Sequence, residues 1–558
     1  MDTLSVPDYV AIAVYMALVA GIGVVLGTWI KDVGEYFKGG GVLPWPAAAI
    51  SNYMSMFSTF IFVAYAGLAY SYGLVALTLI WCAVPPSLFA AAVIARRWRR
   101  AGIMSPVEYM ETRFNAPVRQ CFSWGGIVFR VFDNMVRLYA IGLFVAAVTP
   151  LSLGEAVLLA GLIVTLYTVM GGLWAVVLTD LLQFVVLIVA VLIMLPLSIH
   201  AAGGLAAMRE AVPDHFTLFQ GPKGAPLYLL AYYVMVLIKY NGNWSFIQRF
   251  YSVRDEAAAT KSALVMAGLF FVFPLFFLLP AIAARVVEPN LANPEMAYVT
   301  MALRVLPSGV MGLMVAAMFA ATMSAVDSEF NVTAGVFTRD IYQRILRPNA
   351  SSRELMTVGR AATLVLGVIV VGGALFVGRF GGAFEANQII TGLAIPLSVP
   401  LVFGILTRHA RPWGAMASVV LGVATGFFLN WHPEVSWPVA TCTVIAVSVG
   451  TLLLSGLMPS NDKQYQQRVE GFFRRLSTPI PEAEKPAVDP AFQAAVRHVF
   501  ALSLGSTGLM FAGLGLLSVA TPGGALSVGA GAICFVLAVI VYFSARRVGQ
   551  LGASAHKE

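Results

Sequence analysis

Residues 51–59 read Ser51-Asn52-Tyr53-Met54-Ser55-Met56-Phe57-Ser58-Thr59. The run lies inside an apolar stretch, 44–71, that is long enough to cross a bilayer, yet five of its nine residues are Ser, Thr or Asn. A span that turns polar at its middle is the sequence mark of a helix unwound around a transported solute or ion. A second break, Lys239-Tyr240-Asn241-Gly242-Asn243-Trp244-Ser245, interrupts the stretch 226–250. Five spans separate the two breaks, so 44–200 and 226–407 form two five-helix halves, each opening with a broken helix. The Ser-rich run also suits close helix packing through small residues. The matching break at 239–245 favours a site.

Outward from these breaks the chain is apolar throughout. Of 558 residues, 59% are hydrophobic and 11% charged, and the mean hydropathy is +0.83. Soluble domains carry about 25% charged residues, which excludes a soluble enzyme, a disordered chain and a nucleic-acid partner. About 20 apolar residues cross the hydrocarbon. Fifteen spans are expected, near 7–28, 44–71, 73–95, 122–149, 153–171, 173–200, 226–250, 258–284, 308–346, 356–379, 386–407, 412–431, 436–457, 498–520 and 525–545. Only helices satisfy their own backbone groups at this spacing. The fold class is therefore an all-α polytopic membrane protein, whose first partner is the lipid bilayer.

With the N-terminus outside and the C-terminus cytoplasmic, 27 of the 35 Lys and Arg residues fall on the inner side. This asymmetry is the positive-inside signal, and it makes the net charge of +8 a matter of topology. The expected location is the cell inner (plasma) membrane. The chain divides into an extra N-terminal helix and loop (1–43), a core (44–407), peripheral helices (408–458), a cytoplasmic linker with one amphipathic turn or two (459–497), and a C-terminal hairpin with a basic tail (498–558). Cys82, Cys121, Cys442 and Cys534 show no metal-type or disulfide spacing.

Charges inside spans cost about 2.5–3.5 kcal/mol each on insertion scales and need a partner or a function. Arg130, Asp133 and Arg137 follow spacings of three and four, so they share a helix face. Asp133 and Arg137 suit either an ion pair or solute contact, and Arg130 can snorkel. Asp180 suits a helix-start cap or an ion site. Ser324, Asp327 and Asn331 place a hydroxyl, a carboxylate and an amide on one stripe, the oxygen donors a hard monovalent cation wants. All six histidines lie in loops or at span ends. A histidine relay, a catalytic metal site and intramembrane hydrolysis therefore have no support, and no enzymatic activity is expected.

These residues resemble the sodium/solute symporter family over roughly 5–460. Gly171 to Gln183 is similar to its G-G-x-x-A-V-x-x-T-D-x-x-Q stretch. Phe319 to Asn331, followed by Thr338-Arg339-Asp340-Ile341-Tyr342, is similar to its A-A-x-x-S-S-x-x-S-x-x-N helix with the D-I-Y ending. Gln248-Arg249-Phe250 resembles its Q-R loop, and Ser58 to Gly73 its first broken helix. The resemblance implies the five-plus-five inverted repeat of the LeuT type, with one extra helix before it and four after. It also implies a sodium ion as coupling ion, held by backbone carbonyls of Met54, Phe57 and Ala321 and the hydroxyl of Ser324, with Asp180 behind it. Ala325 stands where the family has a second serine, which removes one oxygen ligand; Asp327, one turn along, would compensate with a full charge.

Positions that carry acidic and amide groups in sugar-carrying members are Phe60, Ile61 and Ile80 here, which argues against a neutral hexose. The candidate solute contacts are Ser58, Asp133, Arg137, Lys239, Asn243 and Gln388. Two cations beside one aspartate favour a carboxylate-bearing solute: an organic acid, a sugar acid or an amino acid. The expected function is sodium-coupled symport of such a solute by alternating access. The alternatives are proton coupling through Asp327 and Asp180 or a sensor that does not transport.

Overall fold

The computed structural model describes residues 4–27, 37–58, 60–380, 383–430, 432, 434–458, 462–487 and 490–555. Thr59 and most of the 29–43 loop lie outside the described residues. Every named element among the described residues is helical. The chain order of the principal helices is α1 (Val6–Gly27), α2 (Trp45–Met56), α3 (Ile61–Tyr72), α4 (Val75–Ala101), α5 (Ala116–Val148), α6 (Leu153–Ala201), α7 (Pro226–Asn241), α8 (Trp244–Ser252) and α9 (Glu256–Val287). It continues with α10 (Ala297–Val305), α11 (Val310–Leu346), α12 (Ser352–Ala374), α13 (Ala383–Leu406), α14 (Pro412–Asn430), α15 (Trp437–Leu454), α16 (Lys463–Ser477), α17 (Pro490–Leu517) and α18 (Pro522–Ala555).

Ten helices among the described residues are long and apolar enough to span a membrane, or twelve when each of two bent pairs counts as one span. A count of fifteen is not established among the described residues: Val6–Val19 and Leu153–Leu166 are the described apolar parts of α1 and α6, and the stretch 226–250 is cut into helices of 16 and 9 residues. The expected spans 153–171 and 173–200 are one helical element, α6, of 49 residues. At about 1.5 Å per residue it exceeds twice the hydrocarbon thickness.

Both expected breaks are present. α2 begins behind Pro44, with Pro46 in its first turn, and ends at Phe57, whose backbone is extended (φ −86°, ψ 114°). The chain bends by 59° before α3, where the Ser58 hydroxyl accepts from the Phe60 N–H at 3.3 Å. In the second half, α7 ends at Gly242 and Asn243 caps α8, accepting from the Phe246 N–H at 3.0 Å. A Cβ on Gly242 would lie 2.7 Å from the Cβ of Ser398, so only glycine lets α13 approach this break. The Leu43 N–H donates to the Ser252 carbonyl at 3.0 Å, tying the approach to α2 to the end of α8.

Three further features depart from the sequence reading. α13 bends by 47° between Ala386–Gly392 and Ala394–Leu406. Gln248-Arg249-Phe250 lies on α8, not in a loop, and Arg249 is wholly buried. The 459–497 linker holds a helix of 15 residues, α16, in place of the expected one or two turns. Its apolar face (Tyr465, Val469, Phe472, Phe473, Leu476) is buried, and the Arg113 guanidinium donates to the Tyr465 hydroxyl at 2.9 Å. Charged flanks lower the mean hydropathy of this segment and hide its amphipathic period.

At the centre stands α11. Every residue of Val310–Val336 is buried, as an apolar helix surrounded by other helices must be. α11 packs on α1, α2, α5 and α6, so its few polar residues face other helices.

Candidate ion and solute site

Asp180 of α6 joins three helices. Its carboxylate accepts from the Ser51 hydroxyl of α2 at 2.5 Å and from the Ser324 hydroxyl of α11 at 2.5 Å. The Arg249 guanidinium of α8 stands 4.0 Å from the same carboxylate and donates to Ser51 Oγ at 3.1 Å and Ser328 Oγ at 2.7 Å. Ser55 Oγ donates to Ser328 Oγ at 3.0 Å. All these side chains are buried. Asp180 lies well inside α6, so it does not cap a helix start.

Asp327 lies one turn from Ser324 on α11, wholly buried; neither carboxylate oxygen has a well-formed hydrogen bond, with Ser328 the adjacent polar group. Asp180 and Arg249 are within electrostatic reach. Asn52 of α2 and Gln183 of α6 are likewise buried with both side-chain polar atoms unpartnered. Buried polar groups are normally paired, and an orphan points to a water or an ion. Met54 and Phe57 sit where α2 ends, the end at which carbonyls lose their helical partners; the Met54 carbonyl accepts from the Phe57 N–H at 3.1 Å. Ala321 precedes Ser324 by three residues on the same buried helix. The donor set is oxygen throughout, which suits an alkali cation.

Beside this node lies a cavity walled by α2, α3, α4, α5, α7, α9 and α13. Ser58, Arg137, Lys239, Asn387 and Thr391 line it, together with Phe60, Ile61 and Ile80. Arg137 Nε donates to Asp133 Oδ2 at 3.1 Å and Nη1 to the Ser55 carbonyl at 3.1 Å. Lys239 Nζ donates to Asp133 Oδ1 at 3.4 Å and to Thr391 Oγ1 at 2.7 Å. Asp133, Lys239, Asn243 and Thr391 also line an adjoining cavity that reaches Phe122 near the start of α5. The Asp133–Lys239–Thr391 contacts therefore divide the two.

Two candidates sit differently from the expectation. Gln388 donates to the Tyr228 hydroxyl at 2.5 Å and is not among the residues lining either cavity; its neighbours Asn387 and Thr391 are. Asn243 Nδ2 donates to Glu329 Oε1 at 3.2 Å, so part of its capacity goes to the protein. Arg130 does not snorkel. Its Nη1 meets Glu329 Oε2 at 2.8 Å, and its guanidinium stacks 4.2 Å over the Trp244 ring. Glu329 also accepts from Ser245 Oγ at 2.5 Å. Glu329, Arg249, Ser51, Ser328, Asn387 and Thr391 carry no role in the sequence reading. Glu329 and Arg249 are visible in the sequence as charges in apolar surroundings; the contacts that join them to other helices span 79 or more residues, beyond any periodicity.

Comparison with known proteins follows the same lines. The sodium:solute symporter family model matches residues 36–422. A sodium/glucose cotransporter of Vibrio parahaemolyticus is 27% identical over 472 residues, covering 77% of this chain and 86% of the relative. A sodium/sialic acid symporter of Aliivibrio fischeri is 27% identical over 450 residues, covering 75% and 86%. Among solved structures, a substrate-bound, outward-open Na+-coupled sialic acid symporter aligns with a TM-score of 0.74 at 21% identity, covering 81% of this chain and 98% of that one. The fold is thus the all-helical LeuT type, and the family is one of secondary transporters, with sodium as coupling ion and a small molecule as cargo. Neither the proton-coupled nor the sensor alternative is favoured. The chain is a multi-pass membrane protein that belongs to the sodium:solute symporter family.

Proposed function

We propose that this symporter imports a carboxylate-bearing solute, with a sugar acid as the leading class, by alternating access. The observation that carries the proposal is the convergence of Arg137 and Lys239, which both line the first cavity, on the single carboxylate Asp133, which lines the adjoining one. The trio leaves one positive charge in excess, and a solute carboxylate would balance it. Arg130 does not add to this excess, because Glu329 neutralises it. Relatives carry sugars and sialic acid; the apolar Phe60, Ile61 and Ile80 in the cavity wall disfavour a neutral hexose, which needs hydrogen bonds on every side. Ser58, Asn387 and Thr391 would meet hydroxyls of the solute.

Sodium would be held where α2 ends, by carbonyls of Met54, Phe57 and Ala321, by Ser324 and by the carboxylates of Asp327 and Asp180. The support is the Asp327 carboxylate, without a well-formed hydrogen bond, beside the Asp180–Ser324–Ser51 node. Filling that cage would fix the end of α2, and Ser55, whose carbonyl holds Arg137, passes that order to the solute cavity. The orientation we favour places the N-terminus outside, and the C-terminal hairpin at 498–558 lies outside the transport core at 44–407.

Proteoliposomes with an inward sodium gradient test the solute class. Labelled sialic acid should accumulate and labelled glucose should not. Arg137→Lys replaces a bidentate fork by a point charge and should raise KM for the acid at least about tenfold. Equal uptake of both sugars, or uptake untouched by Arg137→Lys, would remove the carboxylate from the proposal.

A further inference from the structure

A groove unrelated to either cavity runs between the core and the C-terminal hairpin. Its walls include Trp45 and Ile50 of α2, Lys261 of α9, and Val496, Arg497 and Phe500 of α17. The floor is apolar and the rim is cationic. Lys261 Nζ stands 5.9 Å from the centre of the Trp45 ring. Arg497 Nη1 donates to Ser544 Oγ of α18 at 2.7 Å. Neither cation has a carboxylate partner among the described residues. The two other charges at the rim are engaged elsewhere: Arg254 pairs with Glu482 at 2.9 Å, and Asp255 caps α9, accepting from the Ala258 N–H at 2.8 Å.

The depth of the two free cations is marked by their neighbours. One turn beyond Lys261, Leu264 and Val265 are 49% and 37% exposed; beyond Arg497, Leu502 is 62% exposed. Exposed large aliphatics on a spanning helix face lipid tails, so Lys261 and Arg497 stand at headgroup level, with a tryptophan where interfacial aromatics belong. An apolar groove below two unpaired cations at that level complements one molecule class: a phosphate with acyl chains attached. A free anion would have no use for the floor.

We propose that this groove holds one anionic phospholipid, its phosphate between Lys261 and Arg497 and an acyl chain along Ile50, Val496 and Phe500. The lipid would join α2, the helix that carries the first break, to α17. The C-terminal hairpin thereby completes a lipid seat against the core.

Native mass spectrometry of the detergent-purified full chain tests this. With phosphatidylglycerol and phosphatidylcholine of matched chains at equal concentration, one phosphatidylglycerol should stay bound and phosphatidylcholine should be lost. The double variant K261Q/R497Q should lower the bound phosphatidylglycerol about tenfold or more, since each cation contributes to headgroup attraction. R497K, which keeps the charge, should retain it. Equal retention of the two lipids on the unaltered chain overturns the proposal whether or not the double variant folds. So does a double variant that holds as much phosphatidylglycerol as the parent, and so does displacement of the lipid by millimolar inorganic phosphate, which would mark a site for soluble anions.

Discussion

Among single residues, Asp327 carries the most weight. A wholly buried carboxylate with no well-formed hydrogen bond and no direct ion pair is costly unless a cation or proton is supplied. If sodium supplies the charge, Asp327→Ala should raise the half-saturating sodium concentration for uptake at least about tenfold, with less change in the solute KM at saturating sodium. Unchanged sodium dependence would return the site to Ser324 and the carbonyls alone. Arg130 and Glu329 make a second residue-scale case. Removing one partner of a buried pair leaves the other charge stranded, at a cost of about 3–5 kcal/mol. Arg130→Ala should therefore lower Tm markedly, and R130A/E329Q should recover part of the loss, as read by thermal unfolding of the purified protein.

These two cases also show what is legible in the sequence. Asp180, Ser324 and Asp327 can be picked out because polar groups stand out in apolar helices and because the motifs around them resemble a known family. Their pairing cannot be read. Ser51 and Asp180 lie 129 residues apart, and Arg130 and Glu329 lie 199 apart. From sequence Arg130 therefore reads as a snorkelling cation, and Arg249 as a loop residue. Asn387 and Thr391, four residues apart, share a face of α13 that Gln388 leaves by about 100°; which of the two faces meets the cavity cannot be read from the sequence.

At the scale of elements, the breaks are held by close contacts. A Cβ on Gly126 of α5 would fall 2.2 Å from Trp244 Cζ2, and Trp244 opens the helix after the second break. Gly126→Val should push α8 out of place, lowering Tm and abolishing uptake together; a variant with parental Tm and full uptake would show that the break tolerates the shift. The short helix Tyr109–Arg113 is pinned by Glu111, which accepts from Arg344 at 2.6 Å and from Arg119 at 2.8 Å. The hydrogen bond from Arg344, with help from Arg119, lowers the Glu111 pKa from 4.5 to about 2. A depressed folded-state value means stability that is fully present above pH 4.5 and lost as pH falls toward 2. The unaltered protein should lose Tm across that window, and E111Q should lack this component of the loss.

The element scale explains the remaining differences as well. The breaks in 44–71 and 226–250 are visible because polar runs interrupt them. The bend in α13 falls at Gly392, four residues before Pro396, whose ring removes a helical bond there; prolines are tolerated in spanning helices, so Pro396 alone does not mark a break in the sequence. α16 is longer than the sequence suggests because hydropathy cannot see a helix whose apolar face is narrow.

For the whole molecule, the physics asks whether one ion is enough. One charge crossing 100 mV releases about 2.3 kcal/mol, and a tenfold sodium gradient adds about 1.4 kcal/mol. Together they sustain roughly two to three decades of accumulation. An acidic solute carried with one sodium moves no net charge and keeps only the concentration term, so a carboxylate cargo would call for a second sodium to use the membrane potential. The solute cavity touches both broken helices, and Ser55 links it to the ion node. Coupling by shared order, rather than by direct ion–solute contact, follows from that layout.

The central claim is that sodium, and not another small cation, completes the node at Asp180, Ser324 and Asp327. It is tested most directly by thermal unfolding of the purified protein in sodium and in potassium chloride at constant ionic strength, a measurement that needs no knowledge of the solute. A ligand that binds only the folded state raises stability by RT ln(1 + [L]/Kd). The expected Tm climbs with sodium, stays flat in potassium, and loses the sodium response in Asp327→Asn; superimposable curves in the two salts would contradict the claim.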